Sequence, residues 1–428
     1  MIRRLLLTTL AVFLLAGAVV AWLDGRGDSA ADLDAPAPAI TPALVERGAY
    51  LALAGNCAGC HTARGGAPYA GGVPIETPFG TVWAGNLTPD DATGLGRWSA
   101  AQFRRALHLG RSADGRRLLP AFPYTEMTRV TRADADALHA YLRSLPAVHA
   151  SNRPHELRFP FGTQAAIAVW RALFFRPGTH ADDPAHSAEW NRGAYLVQGL
   201  AHCGACHGGR NALGGSRSDG HEFPGGMMPM RNWYAPSLNA ADEAGVGGWP
   251  AADIAALLGT GRTTRGAVIG PMADVVWQST QHLNPADLRA IAVYLAAVPQ
   301  RPARGRERPP SDPAAPDTVE HGARIYADRC ADCHGARGEG VAGFYPALAG
   351  NRTVRMEPPV NLVRAIVAGG FAPATRGNPR PFGMPPFGHV LSDAEIAAVA
   401  TFLRASWGHA ASPVDARAVQ RFRSEAAP

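Results

Sequence analysis

The six cysteines of this 428-residue sequence fall into three copies of one motif, CxxCH. The copies read CAGCH, CGACH and CADCH, and no cysteine lies outside them. Two thiols three positions apart lie one helical turn from each other, so both can add to the vinyl groups on one edge of a porphyrin. The histidine that comes next places an imidazole under the iron. The pattern therefore predicts three covalent haem c groups.

Other chemistries of paired cysteines fit this pattern less well. Disulfides are the ordinary interpretation of six cysteines in an exported protein, but they do not require a histidine after every second cysteine. A zinc site would need a second ligand pair beside each CxxC, and a thioredoxin-like redox pair would need a single motif in a βαβ unit. The predicted haem residues are Cys57, Cys60, Cys203, Cys206, Cys330 and Cys333 for the thioethers and His61, His207 and His334 for the proximal iron positions.

Each motif heads one copy of a weak internal repeat. An amphipathic segment runs into each motif, and the repeats close with TRADADALHAYLRSL, NPADLRAIAVYL and SDAEIAAVATFLR. Thr131, Asn284 and Ser392 are the predicted N-caps of these closing helices. An opening helix packed on a closing helix, with a Gly- and Pro-rich stretch between, is the plan of a class I cytochrome c domain. The sequence predicts an all-α fold with three such domains in tandem, each wrapped around a haem.

The segments between the repeats differ in composition. RPARGRERPPSDPAAP is rich in Pro and charge and is predicted to be an extended, exposed linker. AAIAVWRALFF, Ala165–Phe175, is predicted to be a connecting helix packed between the first two domains; the alternative is a patch that meets the membrane or a partner subunit. The predicted organisation is a signal peptide or N-terminal membrane anchor at 1–30, cytochrome c domains at 42–150, 189–300 and 317–410, a connecting segment at 151–188, the linker at 301–316 and a C-terminal tail at 411–428.

The N-terminus carries an export segment. Nineteen residues from Leu5 to Leu23 contain no charge, and Arg3 and Arg4 precede them. This length is near the lower limit for a transmembrane helix, while Val19 and Ala21 offer a cleavage site for a signal peptide. Both alternatives keep the two arginines in the cytoplasm and place the rest on the periplasmic side of the bacterial inner membrane.

The basic charge does not indicate a nucleic-acid partner. All 41 basic residues are Arg and the formal net charge is +6. The arginines are scattered along the chain rather than gathered in a patch, which is typical of a solvated surface. Two propionates on each haem would cancel much of this charge.

A class I cytochrome closes the distal side of its haem with a Met from the loop before the last helix, because a thioether favours ferrous iron. Met384 in PFGMPPF, fifty residues after His334, and Met272 in VIGPMADVV, sixty-five after His207, are the predicted ligands. Each lies beside a Pro that stiffens the loop. Core packing is the alternative role of any Met, and Met227, Met228 and Met230 lie too early in the second repeat.

The corresponding position of the first repeat, sixty-one residues after His61, is Phe122. Phe cannot bind iron. Met127, five residues on, is the first choice for the sixth ligand of the first haem. His108 or His139 could also reach the iron, although both are expected on a helix surface, and the haem could be five-coordinate. An open ferrous iron would bind CO at one haem in three.

The sequence resembles the three-haem cytochrome c subunits of membrane-bound bacterial dehydrogenases for alcohol, gluconate, sorbitol, fructose and aldehyde. The resemblance covers nearly the whole mature chain and rests on the three CxxCH motifs and four collinear stretches: TPFGTVWAGNLTPDDATGLGRW, FPFGTQAAIAVWRALFF, WYAPSLN and LSDAEIAAVATFLRASWG. In that family the first domain usually reads PAMPY, with the Met as axial ligand, where this sequence has PAFPY. PAFPY resembles the form of this loop in relatives that serve molybdenum hydroxylases, which implies a partner that oxidises an aldehyde or an N-heterocycle.

The resemblance implies an electron-transfer subunit that is not catalytic alone. It would take electrons from a dehydrogenase subunit of quinoprotein, flavoprotein or molybdenum type and pass them to ubiquinone or a terminal oxidase. The sequence shows no dinucleotide fingerprint and no recognisable flavin, quinone or molybdenum-binding domain. A haem enzyme, such as a peroxidase or small-molecule reductase acting at an open first haem, is the alternative, and a free-standing electron shuttle is the third.

Overall fold

The computed structural model describes residues 1–27, 31–216, 222–228, 230–301 and 314–423. These residues are mostly helical, with a few short antiparallel strands. Two compact units divide the chain, one built mainly from its first half and one mainly from its second half. Most of the predicted linker at 301–316 lies outside the described residues.

The first half of the chain places helices around one small sheet. Three strands, β1 to β3, form an antiparallel sheet in the order β1-β2-β3, in which Pro74 pairs with Trp83 and Gly80 with Leu157. The helices are α1 (Ile2–Asp24), α2 (Ala31–Asp34), α3 (Pro42–Ala54), α4 (Cys57–His61), α5 (Ala100–Leu109), α6 (Tyr124–Met127), α7 (Arg132–Ser144) and α8 (Gln164–Phe174), and the strands are β1 (Pro74–Thr77), β2 (Gly80–Trp83) and β3 (Glu156–Leu157).

The second half repeats this plan with three two-stranded hairpins, β4-β5, β6-β7 and β8-β9. Its first helix continues into a π-helical turn at Leu196–Leu200. The helices are α9 (Ala188–Tyr195), α10 (Gly204–His207), α11 (Ala251–Thr260), α12 (Pro271–Gln278), α13 (Pro285–Ala297), α14 (Pro316–Arg329), α15 (Ala331–His334), α16 (Arg352–Arg355), α17 (Val360–Ala368), α18 (Asp393–Ala405) and α19 (Ala416–Arg423), with short 3-10 turns at Thr280–His282 and Phe387–His389. The strands are β4 (Gly226–Met228), β5 (Trp233–Ala235), β6 (Arg262–Thr263), β7 (Gly266–Ala267), β8 (Gly370–Phe371) and β9 (Gly383–Met384).

Three helix pairs cross at a glycine: α3 with α7, α9 with α13, and α14 with α18. At each crossing the glycine lies directly on the backbone of the closing helix, so a side chain would collide with it. A Cβ added to Gly48 would lie 1.9 Å from the carbonyl oxygen of Ala137; the distances are 2.1 Å for Gly193 and Ala290 and 2.2 Å for Gly322 and Ala398. The repeat seen in the sequence is therefore a repeat of helix packing.

The closing helices begin at the predicted caps. The side chains of Thr131, Asn284 and Ser392 each accept a hydrogen bond from the backbone N–H three residues further along the chain, which confirms the prediction. Two of the three crossings also contain an ion pair that joins the opening helix to the closing helix. Arg47 lies 3.0 Å from Asp134, and Arg192 lies 2.8 Å from Asp287.

The residues predicted to form a tail, 411–428, are partly helical. Within them, α19 packs on the core of the preceding domain, where Val414 and Val419 are buried. Arg423 pairs with Asp393 at 2.6 Å. Arginines along α19 alternate with apolar positions at helical spacing, so one face of the segment packs on α18.

Two apolar helices lie outside the crossings. A helix is confirmed in the predicted connecting segment as α8, shifted by one residue from the predicted bounds. Among the described residues, α1 is the one helix long and apolar enough to cross a membrane. Asp24, at its end, is buried.

Candidate haem sites

The first CxxCH motif forms the short helix α4, which begins after Asn56 in the left-handed conformation (φ 48°). Cys57 and Cys60 lie one turn apart on it, and His61 is its last residue. The Nδ1 atom of His61 lies 2.7 Å from the carbonyl oxygen of Gly85. Because a carbonyl only accepts, Nδ1 must carry the proton and donate it. The Nε2 atom is then the basic nitrogen that can bind a metal ion.

The same contact recurs at the other two motifs. The Nδ1 atom of His207, at the end of α10, lies 2.7 Å from the carbonyl oxygen of Pro236. The Nδ1 atom of His334, at the end of α15, lies 2.9 Å from the carbonyl oxygen of Pro346. Each imidazole is therefore fixed in the same tautomer by a loop that comes after its own motif.

Burial keeps these groups neutral. It lowers the pKa of His61, His207 and His334 below the ordinary histidine value, against the opposing effect of the carbonyl contact. Burial also raises the pKa of Cys57 to about 12 and the pKa of Cys330 to about 11. The imidazoles are therefore in the form that binds iron.

These residues fit haem c. Each motif supplies two thiols at CxxC spacing and one imidazole whose orientation a backbone carbonyl fixes. All six cysteines lie in the described part of the chain and none forms a disulfide there, so the spacing of each pair is open to thioether formation. When bound, haem supplies reversible one-electron chemistry at its iron, and the protein sets the potential through the axial ligands and the burial of the group.

The predicted distal methionines of the second half lie in different secondary structures. Met272 is in the first turn of α12 and packs against Val268, Ala273 and Val276. Met384 ends strand β9 and pairs with Gly370 of β8. Both precede a closing helix. Their binding to iron stays a prediction.

The first distal loop is built differently. Phe122 lies in a turn before α6, and Met127 is the last residue of α6 with only 4% of its surface exposed. The expectation that His108 lies on a helix surface is wrong: it is 4% exposed, and its Nδ1 atom lies 3.1 Å from the carbonyl oxygen of Thr128. His139 is half-buried, and its ring lies tilted beside that of Phe103, with ring centres 5.3 Å apart.

The structure contains a buried cluster next to the first distal loop that could not be predicted from the sequence. Tyr124 is fully buried, its ring centre lies 5.2 Å from that of Phe175, and the guanidinium of Arg171 lies 5.3 Å from its ring. Arg171 in turn donates to Asp24 at 2.6 Å. One signal was available: Arg171 is the one charged residue of a helix that is otherwise apolar from Ala165 onward.

The backbone carbonyls that hold the histidines also escaped sequence reasoning, because any residue can supply a carbonyl. The three carbonyls belong to Gly85 in WAGN, Pro236 in YAPS and Pro346 in YPAL. Each of the three comes one or two positions after an aromatic residue. That signal is too common in sequences to identify a histidine partner.

Comparison with known proteins places these sites in a family. A cytochrome c family model matches residues 45–146 and 319–407. A nicotinate dehydrogenase subunit of Pseudomonas putida is 41% identical over 370 residues, which is 85% of this chain but only 30% of that protein's length. The cytochrome c subunit of the quinone-type alcohol dehydrogenase of Gluconobacter oxydans is 37% identical over 90% of this chain and 83% of its own length.

The gluconate 2-dehydrogenase cytochrome c subunit of Pantoea cypripedii is 36% identical over 90% of both chains. Similarity over nearly the full length, together with the CxxCH helices and the histidine contacts, leads to one conclusion. The chain belongs to the family of cytochrome c subunits of bacterial membrane-associated dehydrogenases.

Proposed function

We propose that this chain is an electron-transfer subunit with three covalent haem c groups, which receives electrons from a dehydrogenase catalytic subunit. The observation that carries the proposal is the threefold recurrence of one arrangement, in which a CxxCH helix has its histidine held by a backbone carbonyl at 2.7 to 2.9 Å. Several haems on one chain can relay electrons one at a time, and covalent attachment prevents their loss outside the cytoplasm.

The helix crossings support a count of three class I cytochrome c domains. The central region, with Gly193 at its crossing and Arg192 paired to Asp287, has the same packing as the region with Gly48 at its crossing and Arg47 paired to Asp134. We assign the thioethers to Cys57, Cys60, Cys203, Cys206, Cys330 and Cys333 and the proximal positions to His61, His207 and His334.

The distal ligands are Met272 for the second haem, Met384 for the third and Met127 for the first. Met272 lies in the first turn of α12 and Met384 at the end of strand β9, and each precedes a closing helix. Met127 stands on α6, four residues before the cap of α7. Phe122 leaves the position that Met272 and Met384 occupy without a ligating atom, so the first haem takes its ligand from further along the chain.

The partner is a dehydrogenase that oxidises an N-heterocycle or an aldehyde. Nicotinate is an N-heterocyclic acid, and the nicotinate dehydrogenase subunit is 41% identical to this chain. The PAFPY sequence of the first distal loop favours the same class of substrate over an alcohol or a sugar acid. The acceptor is ubiquinone or a terminal oxidase, and the chain works on the periplasmic side of the cytoplasmic membrane.

Purification from gently solubilised membranes tests this function. We expect a dehydrogenase catalytic subunit to copurify in fixed ratio, the haem content to be three per chain, and nicotinate or an aromatic aldehyde to reduce the haems. A chain that purifies alone and turns over peroxide would instead identify a haem enzyme.

A matched pair of histidine variants tests the haem count. His61→Ala removes one proximal ligand, and we expect its haem content to fall to two per chain. His149→Ala is the control, since His149 is largely exposed and lies outside the motifs, and it should keep three. Equal haem content in the two variants would contradict the assignment of His61.

A further inference from the structure

The helix that leads into the second CxxCH motif is one residue longer than its counterpart in the first repeat. Nine positions separate Gly48 from Cys57, whereas ten separate Gly193 from Cys203. Both glycines lie at the crossing with a closing helix, so they mark the same point in each repeat. The second repeat therefore carries one additional residue between its helix crossing and its motif.

The additional residue is taken up by the π-helical turn Leu196–Leu200. The N–H of Ala201 donates to the carbonyl of Leu196 at 2.8 Å, so this hydrogen bond spans five residues rather than the four of an α-helix. The side chains of Leu196, Val197 and Leu200 are fully buried. A π turn changes the direction in which the following side chains point, and such turns are frequent at functional sites.

The π turn packs against the proximal and the distal segments of the first candidate haem site. It contacts α3, which runs into the first motif, and α6, which belongs to the first distal loop. A Cβ added to Gly199 would lie 3.2 Å from the Cβ of Arg129. A Cβ added to Gly55, at the end of α3, would lie 3.3 Å from Cδ1 of Leu200 and 3.4 Å from Sγ of Cys57. A side chain of the second repeat and a cysteine of the first motif therefore border the same glycine.

His202, directly before the second motif, joins the two motifs by a hydrogen bond. Its Nε2 atom lies 3.2 Å from the carbonyl oxygen of Gly55. A carbonyl only accepts, so Nε2 carries the proton and donates it. The backbone of His202 is left-handed (φ 39°), a conformation that is uncommon for a residue with a Cβ and persists where the surroundings fix it. The bond to Gly55 and the π turn before it supply that support.

A short connection therefore links the cysteines of the two motifs. From Cys57 it follows the backbone to Gly55, crosses one hydrogen bond to His202 and reaches Cys203 as the next residue. Covalent bonds and hydrogen bonds carry a tunnelling electron better than an empty gap of the same length does, because electronic coupling falls off more steeply through space. Thioethers at the two cysteines would attach the edge of one haem to each end of this connection.

We infer that the first and second haems exchange electrons directly across this contact, with His202 as the bridging residue and the π turn as the element that positions it. In each exchange one ferrous iron becomes ferric and the other, ferric, iron becomes ferrous; no bond breaks and no proton moves. The inference deepens the proposed function and rests on it. His202 is a positioning residue in this role, since it acts through Gly55 and Cys203.

Variants of His202 in the full holoprotein test the bridge. Pulse radiolysis adds one electron to the oxidised protein, and haem absorbance follows its redistribution among the haems. We expect His202→Ala to slow this redistribution several-fold, and His202→Gln, whose amide can donate to the same carbonyl, to restore it. His282→Ala is the matched control, because the Nε2 atom of His282 also lies 3.2 Å from a backbone carbonyl oxygen, that of Trp277, outside the motifs.

Haem content and thermal unfolding are measured on every variant, so that a loss of folding is separated from a loss of electron exchange. Equal rates in the wild-type protein and in His202→Ala would overturn the inference. The same slowing in His282→Ala would also overturn it, as would slowing in His202→Ala that His202→Gln does not reverse.

Deletion of Gln198 tests the π turn. It gives the second repeat the spacing of nine that the first repeat has, and we expect an α-helix that no longer brings His202 to Gly55. Electron exchange should then be slower than in His202→Ala. Potentiometric titration gives an independent readout: charge repulsion makes the potential of one haem depend on the oxidation state of a close neighbour, and this dependence should weaken.

A deletion variant with three haems and unchanged exchange would overturn the positioning role of the π turn. If the deletion variant does not bind three haems, the variants of His202 decide the inference by themselves. Failure here is distinguishable from failure of the proposed function. A holoprotein whose haems are reduced by substrate through a copurified dehydrogenase, and whose exchange rate ignores His202, keeps the proposed function and contradicts this inference.

Discussion

The two regions that match the cytochrome c family model, at 45–146 and 319–407, share their proximal half and differ in their distal half. In both, a glycine crossing sets the helix pair, and a backbone carbonyl holds the histidine. In the third repeat, Met384 lies on a β-hairpin. In the first, Phe122 takes the corresponding position, and its ring centre lies 6.4 Å from that of buried Tyr124. The residues proposed to hold the proximal side of a haem are thus arranged alike in the two regions, whereas the loops proposed to supply the sixth ligand differ.

Substitutions at the glycines of the helix crossings should destabilise the part of the structure that the two regions share. We expect Gly48→Ala and Gly322→Ala each to lower the free energy of unfolding by roughly 1–3 kcal/mol or more, because the new methyl would overlap a carbonyl oxygen of the closing helix. Gly178→Ala and Gly248→Ala are the controls, since no atom lies within 4 Å of a Cβ at either position. Denaturation of the holoprotein, followed by haem absorbance, measures the change. Equal stability of all four variants would contradict the close approach at the crossings.

Met384→Phe makes the third distal loop like the first. We expect the potential of one haem to fall by on the order of 0.2 V, within the roughly 0.8 V range that axial ligands set, and ferrous protein to gain CO binding at one haem in three. Potentiometric titration and CO difference spectra measure both effects. If neither changes, Met384 is not the ligand.

Met127→Leu tests the first loop. Leu keeps the apolar volume, so the cost in stability should stay below about 1.5 kcal/mol, while loss of the thioether opens the first iron to CO. Met356→Leu is the control, because Met356 is also 4% exposed and has no predicted ligand role. Wild-type protein that already binds CO at one haem would show that the first iron is open.

The double variant Phe122→Met, Met127→Leu tests whether the first distal loop can present a ligand at position 122, as the third loop does at Met384. A thioether at position 122 should replace the lost ligand and abolish the CO binding that Met127→Leu introduces. Persistence of CO binding in the double variant would show that the first loop differs from the others in its path as well as in this residue.

The helix caps should give the smallest effects. Thr131→Ala and Ser392→Ala each remove one side-chain acceptor at the start of a closing helix, at a cost of about 1 kcal/mol. The second should cost more, because Ser392 and Glu395 form a reciprocal capping box, whereas Asp134, the third residue after Thr131, bonds to Arg47. Thermal unfolding compares them, with Thr131→Ser as the conservative control. A larger loss for Thr131→Ala would reverse the expected order.

Features that depend on near neighbours in sequence could be predicted. The CxxCH helices, the caps of the closing helices and the helix α8 each follow from a few adjacent residues. The carbonyls that hold the histidines could not be predicted, because the backbone of any residue supplies one, and neither could the burial of His108 on an amphipathic helix. Helix α19 was missed because its apolar positions, Ala418, Val419 and Phe422, form too short a pattern to indicate a return to the core.

The contacts of Asp24 join residues that are far apart along the chain. Its partners Arg111, Arg117 and Arg171 lie 87, 93 and 147 positions later. Closing loops of this length is slow relative to local helix formation. Because the chain is made from its N-terminus onward, Arg171 becomes available to Asp24 only after 147 further residues have followed. The first domain therefore cannot complete its folding until residue 171 has emerged. Until then Cys57 and Cys60, the two cysteines proposed to attach the first haem, belong to an incompletely folded segment in which both thiols would still be accessible for haem attachment.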